Sequence, residues 1–114
     1  EKYIYECVNS ILNQSFPNFE LIIVDDCSYD RTYQILSKIK DKHLKVIRNI
    51  KNEGIAKNRN RGVNSSKGEY IFFTDGDCIP SRNWLEEGKK GCQLRGVGTC
   101  LITSYTNYLL YRPQ

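Results

Sequence analysis

Two pairs of carboxylates directly follow runs of apolar residues in this 114-residue chain. Asp75-Gly76-Asp77 comes after Tyr70-Ile71-Phe72-Phe73-Thr74, and Asp25-Asp26 comes after Leu21-Ile22-Ile23-Val24. Alternate residues of a strand point to opposite faces, but a glycine permits a sharp turn, so Asp75 and Asp77 can converge on one point above a sheet. Two hard oxygen donors side by side suit Mg2+ or Mn2+, which take one or two protein carboxylates and fill their other positions with water and phosphate oxygens. A cation held there would neutralise charge gathering on a departing diphosphate. Taken alone, Asp-Gly-Asp is more often a turn that ends a strand than a metal site.

Asp25-Asp26-Cys27-Ser28-Tyr29-Asp30 places short polar side chains where a helix is expected to begin. An aspartate there can accept hydrogen bonds from a nucleobase ring nitrogen or from ribose hydroxyls, whereas Ser28 and Asp30 are ordinary helix caps. Capping does not account for Asp25, which must be desolvated or bound to something. A third constellation runs Asn52-x-Gly54-x-x-x-x-Arg59-Asn60-x-Gly62. A helix start at Gly54 and a guanidinium one turn on can together hold anions; the plainer alternative is a turn followed by a basic surface helix. Cys78, beside Asp77, reads as a small buried residue because hard cations ignore thiols. His43 is assigned no chemistry.

These groups need a frame, and apolar periodicity supplies one. Tyr3, Ile4, Cys7, Val8, Ile11 and Leu12 fall at helical spacing, and Phe16-Pro17-Asn18 breaks the helix. Phe19 to Val24, Leu44 to Ile47 and Tyr70 to Thr74 read as strands covered on both faces. Between them lie a helix through Tyr33, Ile35, Leu36 and Ile39 and another with Ile55, Ala56 and Val63 along one face. A helix centred on Trp84-Leu85 follows Pro80, then a strand over Val97 to Ile102 and a tyrosine-rich end of no assigned structure. Alternating helices and strands predict a single α/β domain over 1–114, with a mostly parallel sheet and helices on both faces. In such sheets ligands collect outside the carboxyl ends of the strands, where both acidic pairs fall.

Composition narrows the class. Hydrophobic residues at 39% and charged residues at 26% suit a globular core. A net charge of +4 spread among acidic residues gives no concentrated patch for nucleic acid. No apolar run is long enough to span a bilayer. Five cysteines without a C-x-x-C pair indicate neither a disulfide framework nor zinc, and read as reduced, cytoplasmic thiols. A dinucleotide-dependent dehydrogenase is disfavoured by the lack of Gly-x-Gly-x-x-Gly after a strand.

The order of the motifs is more specific than any one of them. The text from Ser10 through Phe16-Pro17-Asn18-Phe19-Glu20-Leu21-Ile22-Ile23-Val24-Asp25-Asp26 to Thr32, then Asn52 to Gly62, then Gly68 to Asp77, with Pro80 and Trp84-Leu85 after it, resembles the family 2 glycosyltransferases. The likeness covers most of the chain. It implies a GT-A, Rossmann-like nucleotide-binding fold and transfer of sugar, usually with inversion, from a nucleotide-sugar donor to a lipid, polysaccharide or protein-glycan acceptor. By that likeness Asp25 or Asp26 contacts the base, Ser28, Gly54 and Arg59 lie along the nucleotide, Asp75 meets the ribose or metal, and Asp77 ligates a Mn2+ or Mg2+ ion.

Two residues depart from the family pattern: Asn58 stands where alanine is frequent, and Cys78 where a further aspartate is frequent. The family also places a strand ahead of the first helix, in the sheet interior, and a catalytic base well downstream of Asp-x-Asp. The chain is therefore expected to be an excerpt of a longer protein, with the base and any membrane association lying in other parts. Direct pairing of the strands at Leu21–Val24 and Tyr70–Thr74 would contradict that expectation. Glu86 and Glu87 read as solvated helix residues rather than as the base. A nucleotide-binding module or inactive remnant is the alternative function.

Overall fold

A computed structural model describes residues 3–68, 70–76, 78–95 and 108–113. The elements run α1 (Ile4–Leu12), β1 (Phe19–Asp25), α2 (Thr32–Lys38), β2 (Leu44–Arg48), α3 (Ile55–Ser65), β3 (Phe72–Asp75), α4 (Trp84–Arg95) and β4 (Tyr108–Pro113). The expected helices and strands through the helix at Trp84 are present, β3 starting at Phe72 rather than Tyr70. The strand expected over Val97 to Ile102 lies outside the described residues. The tyrosine-rich end, left without a structure by the sequence, forms β4.

The four strands make one sheet in the order β2-β1-β4-β3. β1 and β2 are parallel, with Leu21 opposite Leu44 and Asp25 opposite Arg48. β4 runs antiparallel to both β1 and β3, so β1, β2 and β3 all point the same way. The β1 and β3 strands thus do not pair directly. β4 fills the interior place between them that the resemblance gives to a strand ahead of α1.

β1 centres the fold. Leu21, Ile22, Ile23 and Val24 are all at most 1% exposed, and full burial of each such side chain contributes about 1.5–3 kcal/mol. Alternation divides them between two clusters. Leu21 and Ile23 join Ile4, Cys7, Val8 and Ile11 of α1, Leu36 of α2, Phe72 of β3 and Leu85 of α4. The α1 residues recur at i, i+3, i+4 and i+7, the stripe an amphipathic helix lays on a sheet. Ile22 and Val24 face the other way, with Ile47, Ile71 and Phe73 beside them. Helices therefore cover both faces as expected, α1, α2 and α4 on one and α3 on the other.

The contact between α4 and β3 is close. A Cβ added at Gly88 would lie 2.7 Å from Cε1 of Phe72, whose ring also meets Trp84 edge-on at 5.9 Å. The face of α3 differs from expectation. Ile55 and Val63 are exposed, at 45% and 36%, and Ala56 is exposed too, while Asn58 and Gly62 are buried. The helix turns a polar side chain inward because that side chain finds partners there.

Candidate functional site

Asp25 ends β1 on the face of Leu21 and Ile23, and is 0% exposed. Its Oδ1 accepts hydrogen bonds from the Ser28 amide, at 3.2 Å, and from the Ser28 hydroxyl. Oδ2 lies 3.5 Å from Nε of Arg48, directly across the β1–β2 pairing. Arg48 in turn sits over the Tyr33 ring at 4.3 Å. The sequence left open whether Asp25 is desolvated or bound; it is desolvated, and its carboxylate faces Arg48. Ser28 serves Asp25, and it is Asp30 whose carboxylate accepts the Thr32 amide at 2.9 Å at the start of α2.

Asp26 is wired differently. Its Oδ1 accepts from the Glu53 amide at 2.7 Å and from Nδ2 of Asn49 at 2.8 Å, and its Oδ2 from the Gly54 amide at 3.0 Å. Gly54 has φ +87° at the start of α3, a left-handed conformation that favours glycine. The amides at this helix start are thus turned to a carboxylate of the protein's own. Asn49 Nδ2 also donates to Oδ1 of Asn58 at 2.6 Å, and Arg61 donates to Oδ1 of Asn49. Asn49 and Asn58 are each 2% exposed. Burial opposes ionisation of Asp26, but the hydrogen bonds from Glu53, Asn49, Asn58 and Gly54 outweigh it and hold the carboxyl below its ordinary pKa.

This Asp26–Asn49–Asn58–Arg61 network joins the ends of β1 and β2 to α3. Asn49 was missed from sequence, and Asn58 was noted there only as a departure from the family pattern. A polar residue just past a strand and another inside an amphipathic helix carry no period that links them. Between the two aspartates, Cys27 adopts φ +61°, the left-handed region, with its Sγ 3.4 Å from the Ile50 carbonyl.

Asp75 ends β3 and is 3% exposed. In register, Asp75 and Val24 both stand opposite Tyr108, two strand spacings apart or about 10 Å. Asp75 falls on the face of Phe73, Ile22 and Val24. Arg59, from α3, is on the same face, its guanidinium carbon 5.6 Å from the Phe73 ring centre. On the main chain, the Asp75 carbonyl accepts from the Cys78 amide at 3.2 Å and from the Cys7 thiol at 3.4 Å. Cys78 is half-buried rather than buried. Asp77 lies outside the described residues.

The strand ends therefore bring Asp25, Asp26, Ser28 and Gly54 into one corner, and Asp75 and Arg59 onto one face across β4. No group of three potential metal-ligating side chains occurs among the described residues. Glu86 accepts from the Ser15 hydroxyl at 3.0 Å and Glu87 lies 3.4 Å from Lys90, both partly solvated on α4. His43 bridges Asp41 and the Pro17 carbonyl while stacking on Phe19 at 4.3 Å, which holds two turns together. Cys7, Cys27 and Cys78 form no disulfide among the described residues, and no helix among those residues is long and apolar enough to cross a membrane.

Acidic side chains gathered at the carboxyl ends of aligned strands, with a glycine-started helix between them, belong to an α/β protein of the kind whose ligands meet the strand ends. Residues 1–90 match the model of glycosyl transferase family 2, and the chain belongs to that family. It is 35% identical over 109 residues to the glycosyltransferase GlyG of Streptococcus pneumoniae, covering 94% of this chain and 36% of that protein. It is 42% identical over 110 residues to the putative teichuronic acid biosynthesis glycosyltransferase TuaG of Bacillus subtilis, covering 95% and 42%. The poly(ribitol-phosphate) beta-N-acetylglucosaminyltransferase TarS of Staphylococcus aureus is 41% identical over 91 residues, covering 76% and 16%. The chain spans less than half the length of each of these relatives.

Proposed function

We propose that the protein transfers a sugar from a nucleotide-diphosphate donor to an acceptor hydroxyl by direct displacement, inverting the anomeric carbon. The observation that carries this reading is the placement of Asp75 at the carboxyl end of β3, on one face with Arg59, within a chain of the glycosyltransferase family. Asp75 and Asp77 would meet the donor's ribose and diphosphate, with Arg59 supplying positive charge along the nucleotide. Their hard oxygen donors fit Mn2+ or Mg2+, which when bound would take up negative charge on the departing diphosphate.

Asp25, Asp26, Ser28 and Gly54 frame the base end of the nucleotide in this reading. With both carboxylates already holding protein donors, they act chiefly by fixing where the β1 end and the α3 start stand. The acceptor base is assigned to no described residue. Acceptors in the class of the relatives' substrates, a polyol-phosphate polymer for TarS and a diphosphoundecaprenol-linked sugar for the Escherichia coli glucosyltransferase WfaP, are part of the proposal. So is a cytoplasmic site of action, in keeping with five cysteines, an odd number without a C-x-x-C pair.

Calorimetry of the intact protein with nucleoside diphosphates, with and without Mn2+, tests the reading. Binding that needs the cation and weakens at least tenfold in Asp77→Ala is expected. Cation-independent binding, or full affinity in that variant, would overturn it. Turnover of a nucleotide sugar separates an enzyme from a binding module.

A further inference from the structure

Asn49 directly follows β2 and is 2% exposed. Its backbone N–H donates to the Asp25 carbonyl at 2.9 Å, which anchors the residue at the end of β1. Both halves of its side-chain amide are engaged. Nδ2 donates to Oδ1 of Asp26 at 2.8 Å and to Oδ1 of Asn58 at 2.6 Å, while Oδ1 accepts from Arg61. An ionised carboxylate can only accept and a guanidinium can only donate, so Asp26 and Arg61 dictate which end of the amide faces which. A carboxylic acid or an apolar side chain of the same size could not serve both neighbours.

The residues of α3 that this corner holds lie along one stripe. Gly54, whose amide is held by Asp26, and Asn58 and Arg61, held by Asn49, stand at i, i+4 and i+7. Fixing such a stripe fixes the roll of a helix about its own axis. α3 lies against β1 and β4, and Arg59 follows Asn58 by about 100° of helical rotation. There its guanidinium carbon is 5.6 Å from the Phe73 ring centre, on the sheet face that Asp75 shares by alternation. A helix with its side chains is 10–12 Å across, so a roll of about 20° would carry a side chain at the rim by about 2 Å. Misplacing a binding group by about 1 Å can cost about 100-fold in rate.

We propose that Asn49 is a positioning residue for the nucleotide-sugar donor: its amide locks the roll of α3 and so sets where Arg59 stands relative to Asp75. This rests on the donor reading above, in which Arg59 lies along the nucleotide, and adds to it a residue that acts on the donor through Arg59. A purely structural asparagine would lower stability and weaken binding to the same degree whether or not Arg59 is present.

The test is a double-mutant cycle on the intact protein, with Mn2+ and UDP, GDP, ADP, CDP and dTDP titrated in turn and followed by NMR so that weak binding is still read. Asn49→Asp keeps the size of the side chain and its bond to Arg61 but sets an acceptor against Asp26 and Asn58. For the nucleotide that binds best, it is expected to lower affinity about tenfold in the parent and less than twofold in an Arg59→Ala background, where no guanidinium is left to misplace. Asn58→Ala breaks the same link from the helix side and is expected to give the same pattern, which keeps the test decisive if Asn49→Asp does not fold. Equal losses in both backgrounds, or parental affinity in the single variants, would overturn the proposal and leave the donor reading intact. Binding of none of the five nucleotides by the unsubstituted protein would sink the donor reading and the positioning role with it.

Discussion

The corner at the ends of β1 and β2 and the end of β3 are both acidic and both lie where ligands gather in a parallel sheet, yet they are built for opposite purposes. At the first, Asp26 holds three donors of the protein, and Asp25 is fully buried against Ser28 and Arg48. At the second, the main chain of Asp75 is pinned by Cys7 and Cys78, and its side chain shares a face with Arg59. Two similar pieces of sequence thus divide the work: one sets the geometry, the other meets the ligand. Substitutions in the corner should be read out as lost stability, and substitutions at the β3 end as lost activity.

The largest expected effect belongs to the β3 end. Asp75→Asn should lower kcat for sugar transfer by about 100-fold or more, since charge stabilisation by a metal site is worth several kcal/mol. Activity within threefold of the parent would remove Asp75 from the chemistry and erase the contrast. Asp26→Ala leaves the Glu53 and Gly54 amides and Asn49 without their acceptor, and should cost about 2 kcal/mol in a denaturant melt. A melt matching the parent would show that the corner is not a scaffold.

The same carboxylate sets a pH dependence. Its folded pKa lies below the ordinary aspartate value of 3.8, so its contribution is fully present above that value and is lost as pH falls through the folded pKa. An Asp26→Asn protein should therefore lose less stability than the parent between about pH 5 and pH 2. Parallel stability curves for the two proteins would count against the network. Asn58→Ala removes one inner partner of Asn49 and should cost about 1 kcal/mol, with KM for the donor rising more than kcat falls. The smallest effect is a gain. Cys27→Gly relieves a left-handed non-glycine residue, and after the entropy that glycine costs, the melt should show a rise of about 0.5 kcal/mol.

Much of this division was hidden in the sequence for physical reasons. The apolar runs that became β1, β2 and β3, and the i, i+3, i+4 stripe of α1, were legible because burial acts on every residue of an element at once. So were the acidic ends of β1 and β3, because an abrupt change from apolar to acidic marks where a strand leaves the core. The partners of those acids were not legible. Arg48 meets Asp25 through strand register, and Asn49 meets Asp26 and Asn58 through the way α3 lies against the sheet; both are facts of three-dimensional neighbourhood. The inward face of α3 was misread because apolar Ile55 and Val63 were given the core side, when buried hydrogen bonds had claimed it for Asn58. β4 escaped because Tyr108 to Pro113 has no alternation that distinguishes it from a loop.

Gln14, at the end of α1, donates to the Ser81 carbonyl at 2.7 Å and accepts from the Leu85 amide at 3.0 Å, a bridge with a consequence for measuring motion. The Leu85 amide hydrogen is bonded to Oε1 of Gln14 rather than to a carbonyl of its own helix, so it is shielded only while α1 and the segment after β3 stay together. Fraying at the start of α4 does not by itself release it. In a deuterium-exchange experiment that one amide would act as a clock for the parting of α1 from the start of α4, timed apart from the slower global unfolding that exposes the β1 amides.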